Sequence, residues 1–304
     1  MLIQSLRKKI ILERRFITGE IDITQGRLEE YADVFADICN VLLFNGEERI
    51  LPEQLMETGR TSQYKADDGS IHQEDRDVAK YWKNGKIKIA LFGLENQMNK
   101  IDYMPRRIIG YDGASYRSQL LGEKPYDIFP VITLVLYYGT TRWDEPVSLF
   151  EELKISEELK PLVNDYKINL YEIAFLEQEQ VKLFKSDFRV VADYFVQKRM
   201  KKKYIPTSKI LRHVDEVLKM LAALSGDDRF VSVNIPQEKG VVTMCEIVDG
   251  FISQGLSQGE ARTLVQCVEA LMASEDITAS EACEKLNRKF EDYEKAKNNI
   301  LEIA

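Results

Sequence analysis

The stretch that decides the fold runs from Asp77 to Tyr116, DVAKYWKNGKIKIALFGLENQMNKIDYMPRRIIGYDGASY. Val78 to Trp82 and Ile87 to Leu94 flank Lys83-Asn84-Gly85-Lys86. Asn-Gly accepts the positive φ of a tight turn, so the segment reads as a β-hairpin. Alternate residues of a strand share a face. Ile87, Ile89, Leu91, Gly93, Glu95 and Gln97 therefore line one side, an apolar stripe that ends in a carboxylate and an amide. Burying a carboxylate is costly unless it is paired or binds a cation. Asp77 opens the partner strand and brings a second carboxylate to the same edge. Two oxygen ligands on adjacent strands suit a hard ion such as Mg²⁺, which keeps several waters and takes the rest of its shell from a phosphate. A strict Asn84-Gly85 turn would set Asp77 opposite Phe92 and point it away from Glu95. Convergence therefore requires a bulge, a three-residue loop or a local twist.

Met104 to Leu121 reads as a helix, with Pro105 in its first turn. Tyr103, Arg107 and Tyr111 recur every four residues on one face, from which an arginine can grip a phosphate bidentately. Lys80 to Arg107 carries a net charge of +5. A plainer reading has Lys86 and Lys88 solvating the outer hairpin face, the tyrosines in the core, and the acid-amide trio as a structural hydrogen-bond network. Patterning alone places this plainer reading slightly ahead.

Working outward, Gly26 to Leu43 shows helical spacing of apolar residues, stopped at Phe44-Asn45-Gly46. Phe129 to Tyr138, closed by Gly139, reads as a buried strand, and Ile168 to Phe175 as another. Val181 to Lys202 and Ser208 to Leu224 read as helices. Helices interleaved with strands imply an α/β layer fold with a mixed sheet. From Val241 the pattern is helical, with breaks expected near Gly255, Gly259 and Ser274. Within it Thr278 or Ser280 is a candidate cap, and Ala282, Leu286 and Phe290 form a stripe.

The 304 residues suggest about two domains. A net charge of −8 argues against wholesale nucleic-acid binding, but it is uneven. Cys245 to Ala304 carries −6, whereas Val196 to Lys219 carries +6. The basic run Lys198-Arg199-Met200-Lys201-Lys202-Lys203 is either a solvated helix end or a phosphate contact. Four cysteines without C-x-x-C read as free thiols, and two histidines, His72 and His213, exclude a multi-histidine metal site. No apolar run has the length of a membrane span. No apolar core or cleavage site follows the basic N-terminal residues, so the expected location is cytoplasmic. Walker, G-x-S-x-G and H-E-x-x-H motifs are absent.

Several segments, in order, resemble the Rpn family, the recombination-promoting nucleases also labelled putative transposases, of the PD-(D/E)XK nuclease superfamily. These are Phe35-Ala36-Asp37 through Leu55, Arg76-Asp77-Val78, Gly93-Leu94-Glu95-Asn96-Gln97, Asp102 to Pro105 with Arg107, Tyr111-Asp112 and Tyr116, and Phe129 to Gly139 with Trp143. The resemblance implies a restriction-endonuclease-like α/β core, a mixed β-sheet flanked by helices, followed by an α-helical C-terminal region. The expected division is residues 1–203 as the nuclease-like domain, 204–240 as a helical linker and 241–304 as an acidic helical region.

It further implies Mg²⁺-dependent, or other divalent-cation-dependent, cleavage of DNA in recombination, mobile-element or phage-defence settings. Asp77, Glu95 and Gln97 would be catalytic, with Asp77 and Glu95 as metal ligands. Gln97 stands where the superfamily more often has lysine, and it brings no positive charge. Asp37, Lys100, Arg107 and Tyr111 are the supporting candidates; Asn40 is a neutral substitute for Asp37. Lys83, Arg106, Arg107, Lys201 and Lys202 are the DNA-contact candidates. Two alternatives stay open: a catalytically weak relative that binds DNA or protein, and an interaction protein working through its acidic helical tail. DNA, a second copy of the chain and a protein partner on the C-terminal helices are the partners these readings imply.

Overall fold

The hairpin keeps Asn84 paired, with Ile87, and places Gly85 in the turn at φ 59°, a conformation in which glycine meets no Cβ penalty. A second displacement follows. Lys83 pairs with Lys88, but Trp82 pairs with Ala90, so Ile89 is the extra residue of a β-bulge. Beyond it Val78 pairs with Leu94. One further step of that ladder sets Asp77 opposite Glu95, not Phe92. Opposed residues share a face, so the shifted turn and the bulge together turn Asp77 to the side of Glu95.

The computed structural model describes residues 28–58, 61–65, 71–75, 77–85, 87–120, 128–201, 203–232 and 242–303. Gly26, Arg76, Lys86, Leu121, Lys202 and Val241, which carry expectations above, lie outside the described residues. The chain divides into two compact units, Met1–Thr207 with Leu211–Val231, and Ser208–Ile210 with Ser232–Ala304.

In the first unit, α1 (Ala32–Phe44) precedes β1 (Leu55–Glu57), the hairpin β2 (Thr61–Lys65) and β3 (Ile71–Asp75), and the bulged hairpin β4 (Val78–Asn84) and β5 (Ile87–Gln97). Then come α2 (Met104–Leu120), β6 (Val131–Tyr137), α3 (Leu149–Leu153), β7 (Asn169–Glu172), α4 (Gln178–Leu183), α5 (Phe188–Arg199) and α6 (Val214–Ser225). Five strands form one mixed sheet in the order β1-β4-β5-β6-β7. Its first two pairings are antiparallel and its last two parallel. The fold class is therefore mixed α/β with a helical C-terminal region, as the sequence implies.

The parallel register sets Glu95 beside Val135 and Gln97 beside Tyr137. Val135 packs with Met104, Ile108 and Tyr111 of α2, so the Glu95 face of the sheet is the face that α2 covers. The opposite face receives α1, where Lys80 of β4 lies over the Phe35 ring at 5.9 Å. Phe92 and Leu94, alternating with the site residues, are buried on that side. At roughly 1.5–3 kcal/mol for each large apolar side chain buried, these two layers clamp the strand that carries the candidate site.

Three expected elements are shorter than their apolar patterns. Ile168 to Phe175 yields only β7, followed by a 3₁₀ turn at Ile173–Phe175. Val181 to Lys202 splits into α4 and α5, and the second helix from Ser208 begins only at Val214. Asp187 accounts for the later start, because its buried carboxylate accepts hydrogen bonds of 2.7 Å from the amides of Arg212 and His213 and anchors that segment just ahead of Val214. The helix α6 belongs to the first unit, although its sequence suggests a linker.

The second unit contains α7 (Met244–Glu275), α8 (Ala279–Lys285) and α9 (Phe290–Ile303). The expected breaks at Gly255 and Gly259 are absent, since α7 runs through both. A capping box between Thr243 and Glu246 starts it, and its three glycines, Gly250 included, cost a 32-residue helix only about 1 kcal/mol each. Thr278 caps α8 through Glu281. Ala282 and Leu286 pack in a cluster with Val265, Val268, Cys283, Tyr293 and Ala296, whereas Phe290 begins the next helix. The predicted stripe therefore spans two helices.

Tyr137 folds its ring back against Gly139, where an added Cβ would lie 2.0 Å from the phenol oxygen. Gly139→Ala is expected to lower the thermal midpoint through an overpacking cost of about 1–3 kcal/mol. Gly113→Ala, on α2 with nothing within 4 Å of the new Cβ, should leave it unchanged or raise it. Calorimetric melting of both variants checks the contrast.

Candidate active site at the end of the bulged hairpin

Glu95 has no exposed surface. Its Oε1 meets Nη2 of Arg107 at 2.7 Å and accepts a 3.1 Å hydrogen bond from Nε2 of Gln97. Arg107 in turn donates from Nε to the Tyr111 hydroxyl at 2.8 Å. One turn of α2 thus supplies the countercharge and its brace, which is the spacing the sequence shows. Burial alone would weaken the guanidinium's hold on its proton. The charge of Glu95, with smaller contributions from Tyr111 and Asp77, outweighs burial and raises its pKa. Burial first, and Glu95 second, push the Tyr111 phenol up as well.

Asp77 accepts from the Asn96 amide at 2.6 Å through Oδ2, which ties its carboxylate to the strand between Glu95 and Gln97. The structure thus brings together Asp77, Glu95, Gln97, Arg107 and Tyr111.

A residue the sequence reading missed joins them from the other sheet face. Glu29, fully buried, accepts from Nδ2 of Asn96 at 2.6 Å and from the Tyr138 hydroxyl at 3.3 Å. Tyr138 also donates to Oδ1 of Asn96 at 2.9 Å. Burial, helped by the nearby charge of Asp77 and opposed by the Asn96 and Tyr138 hydrogen bonds, pushes the Glu29 carboxyl up to about 8. The signal for Glu29 was faint: one acid in Leu28-Glu29-Glu30, just before the helical stripe.

Asp37, the acid proposed on the opening helix, is elsewhere. It accepts from the amides of Lys185 and Ser186 at 2.9 and 2.7 Å and fastens the loop between α4 and α5. Asn40 likewise serves the backbone, at Arg49 and Ile50. Lys100 is ion-paired with Asp144 at 2.6 Å. The DNA-contact candidates scatter. Arg107 is the internal partner of Glu95, Arg106 pairs with Glu152, and Lys83 sits 3.0 Å from the Met56 sulfur. Lys201 is exposed, and Lys202 lies outside the described residues.

Residues 84–228 match the model of a family described as "Putative transposase, YhgA-like". Over that span the chain is similar to this family, one of the Rpn/PD-(D/E)XK-like transposase group. The YhgA-like match contains Glu95, Gln97, Arg107 and Tyr111 and begins after Asp77 and Glu29. The family's description suggests a nuclease- or transposition-related role for its members. No curated protein and no solved structure matches the chain. No helix among the described residues is long and apolar enough to cross a membrane.

Arg107→Met should destabilise the fold by about 3–5 kcal/mol, because it leaves a buried carboxylate without its cation; adding Glu95→Gln should recover most of the loss in urea melts. For Glu29, a folded-state pKa above the ordinary 4.5 means the folded chain holds the proton more tightly. Its stability contribution is then complete below about 4.5 and is lost as pH rises toward 8. Denaturant melts in chelator across that window should show the fall, and Glu29→Gln should flatten it.

Proposed function

We propose that this protein is a divalent-metal-dependent DNA endonuclease of the YhgA-like family, acting in recombination or in a mobile-element or phage-defence setting. The observation that supports this most is the shifted hairpin register, which turns Asp77 toward the Glu95–Gln97 end of β5 and ties it to Asn96. A structural strand end has no need of two acids in that position.

The donor chemistry fits a hard cation. Among the described residues no group of three or more His, Cys, Asp or Glu side chains is placed to hold a metal ion. Mg²⁺, however, commonly uses only one or two carboxylates, completing its shell with water and phosphate oxygens. Asp77 and Glu95 would hold it, with the Gln97 carbonyl as a third oxygen. When bound, such an ion acidifies a water and offsets charge on the phosphate. The chain's own residues do the rest. Arg107 orients Glu95 through their ion pair, Gln97 can orient a water or a phosphate oxygen through its amide, and Tyr111 fixes the guanidinium. Glu29, whose carboxyl burial pushes up to about 8, anchors Asn96 between Glu95 and Gln97.

The second reading is a catalytically weak relative that binds DNA or protein. The pairing of Glu95 Oε1 with Arg107 and Gln97 favours it, since that oxygen is already neutralised internally.

Purified protein should nick plasmid DNA with Mg²⁺, and Asp77→Ala and Glu95→Ala should each lose the activity by at least about a hundredfold, near the cost of removing a transition-state contact. Equal nicking by wild type and both variants would mean a contaminant, and no nicking by any of them would favour the second reading.

A further inference from the structure

Immediately beyond the candidate site, where β5 and β6 end, a cavity of about 520 Å³ opens. Its walls come from the residues that follow Gln97, from the turn after Tyr137, and from α5. Tyr138 and Tyr137 join it to the end of β5: the Tyr138 amide donates to Gln97 O at 2.9 Å, its hydroxyl reaches Asn96 and Glu29, and Tyr137 pairs with Gln97 in the sheet. The volume lies in the roughly 300–1,000 Å³ range of small-molecule sites and far exceeds what a water or a lone phosphate needs. Lys100, Lys198, Asn99, Thr140 and Thr141 line it; among the described residues no acidic side chain is in the lining itself, and Asp144, just outside it, holds Lys100 at 2.6 Å, an ion pair that a bound phosphate would have to share or displace. Lysine ammonium groups, threonine hydroxyls and an asparagine amide are phosphate and sugar donors. Lys198 is held in place by Ser225 O at 3.0 Å, with its ammonium nitrogen 5.8 Å from the ring centroids of Tyr194 and Phe195.

We infer that this cavity binds one nucleotide of the substrate strand, next to the phosphate at Asp77 and Glu95, with its base unpaired. The inference rests on the nuclease reading and sharpens it, since taking a nucleotide out of a duplex costs a few kcal/mol and a strand already unpaired escapes that cost. Single-stranded or mismatched DNA is then the preferred substrate. No DNA contact from Arg106 or Arg107 is required, which agrees with their internal pairing.

The test uses the full chain in chelator with dAMP as the probe, read by titration calorimetry. Wild type and Asp77→Asn should bind dAMP alike, while Lys198→Met and Lys100→Met, both expected to fold as judged by melting, should each bind about tenfold or more weakly. Binding without plasmid nicking would leave the cavity assignment standing and remove the nuclease reading alone. Failure of wild type to bind dAMP, equal binding by both lysine variants, or inorganic phosphate binding as tightly as dAMP would each overturn the inference. With Mg²⁺, cleavage of a single-stranded oligonucleotide should exceed that of its duplex, and Lys198→Met should narrow the gap; no such preference in an active wild type would also overturn it.

Discussion

A carboxylate with no contact with water, Glu95, has to be accommodated near the middle of the sheet, and much of the surrounding structure serves that need. Arg107 reaches it from α2, Gln97 from the same strand, and Tyr111 braces the arginine from the next helical turn. The desolvation cost of an isolated ion there would be prohibitive, so the position of α2 over β5 and β6 is set by charge as well as by the apolar packing of Met104, Ile108 and Val135. A purely structural site would be more stable with an apolar residue at 95. The retention of an ion pair at a strand end, beside a second acid, is what gives this edge its chemical character.

Backbone geometry contributes equally. Side chains alternate along a strand, so an odd displacement moves a residue to the other face. The turn at Gly85 and the bulge at Ile89 together displace the pairing by three positions from the simple Asn-Gly count. With either change missing, the face or the height of Asp77 would differ. The bulge thus works on Asp77 from the far end of the hairpin, as bulges often do near active sites.

Charge is distributed to match. The excess of acid lies in the second unit, whose helices form their own small core, and the first unit holds the basic clusters. Yet many of those bases are internal structural partners: Arg107 of Glu95, Arg106 of Glu152, Lys100 of Asp144. A local positive count is therefore a poor guide to where a phosphate backbone would lie, because ion pairing within the fold consumes the same side chains. The lining of the cavity beyond Gln97, where Lys198 stands with hydroxyl and amide groups and Lys100 is the lysine with an acidic partner, is a more selective feature than the count.

The amino-acid sequence by itself determined the hairpin, the mixed α/β layering, the carboxylate-amide end of β5 and the Arg107–Tyr111 spacing. Each rests on local periodicity or a turn preference, which the chain carries without reference to distant residues. It was silent on Glu29, wrong about the breaks in α7, and overextended α5 and β7. The Glu29 assignment depends on Asn96 and Tyr138, 67 and 109 residues away along the chain, and Asp37 was drawn away by the equally distant amides of Lys185 and Ser186. Only the tertiary structure could decide which acid meets the strand end, whether Asp77 faces Glu95, and which bases remain for a ligand. Those outcomes follow from register and from competition among partners far apart in the chain, and no local pattern encodes either.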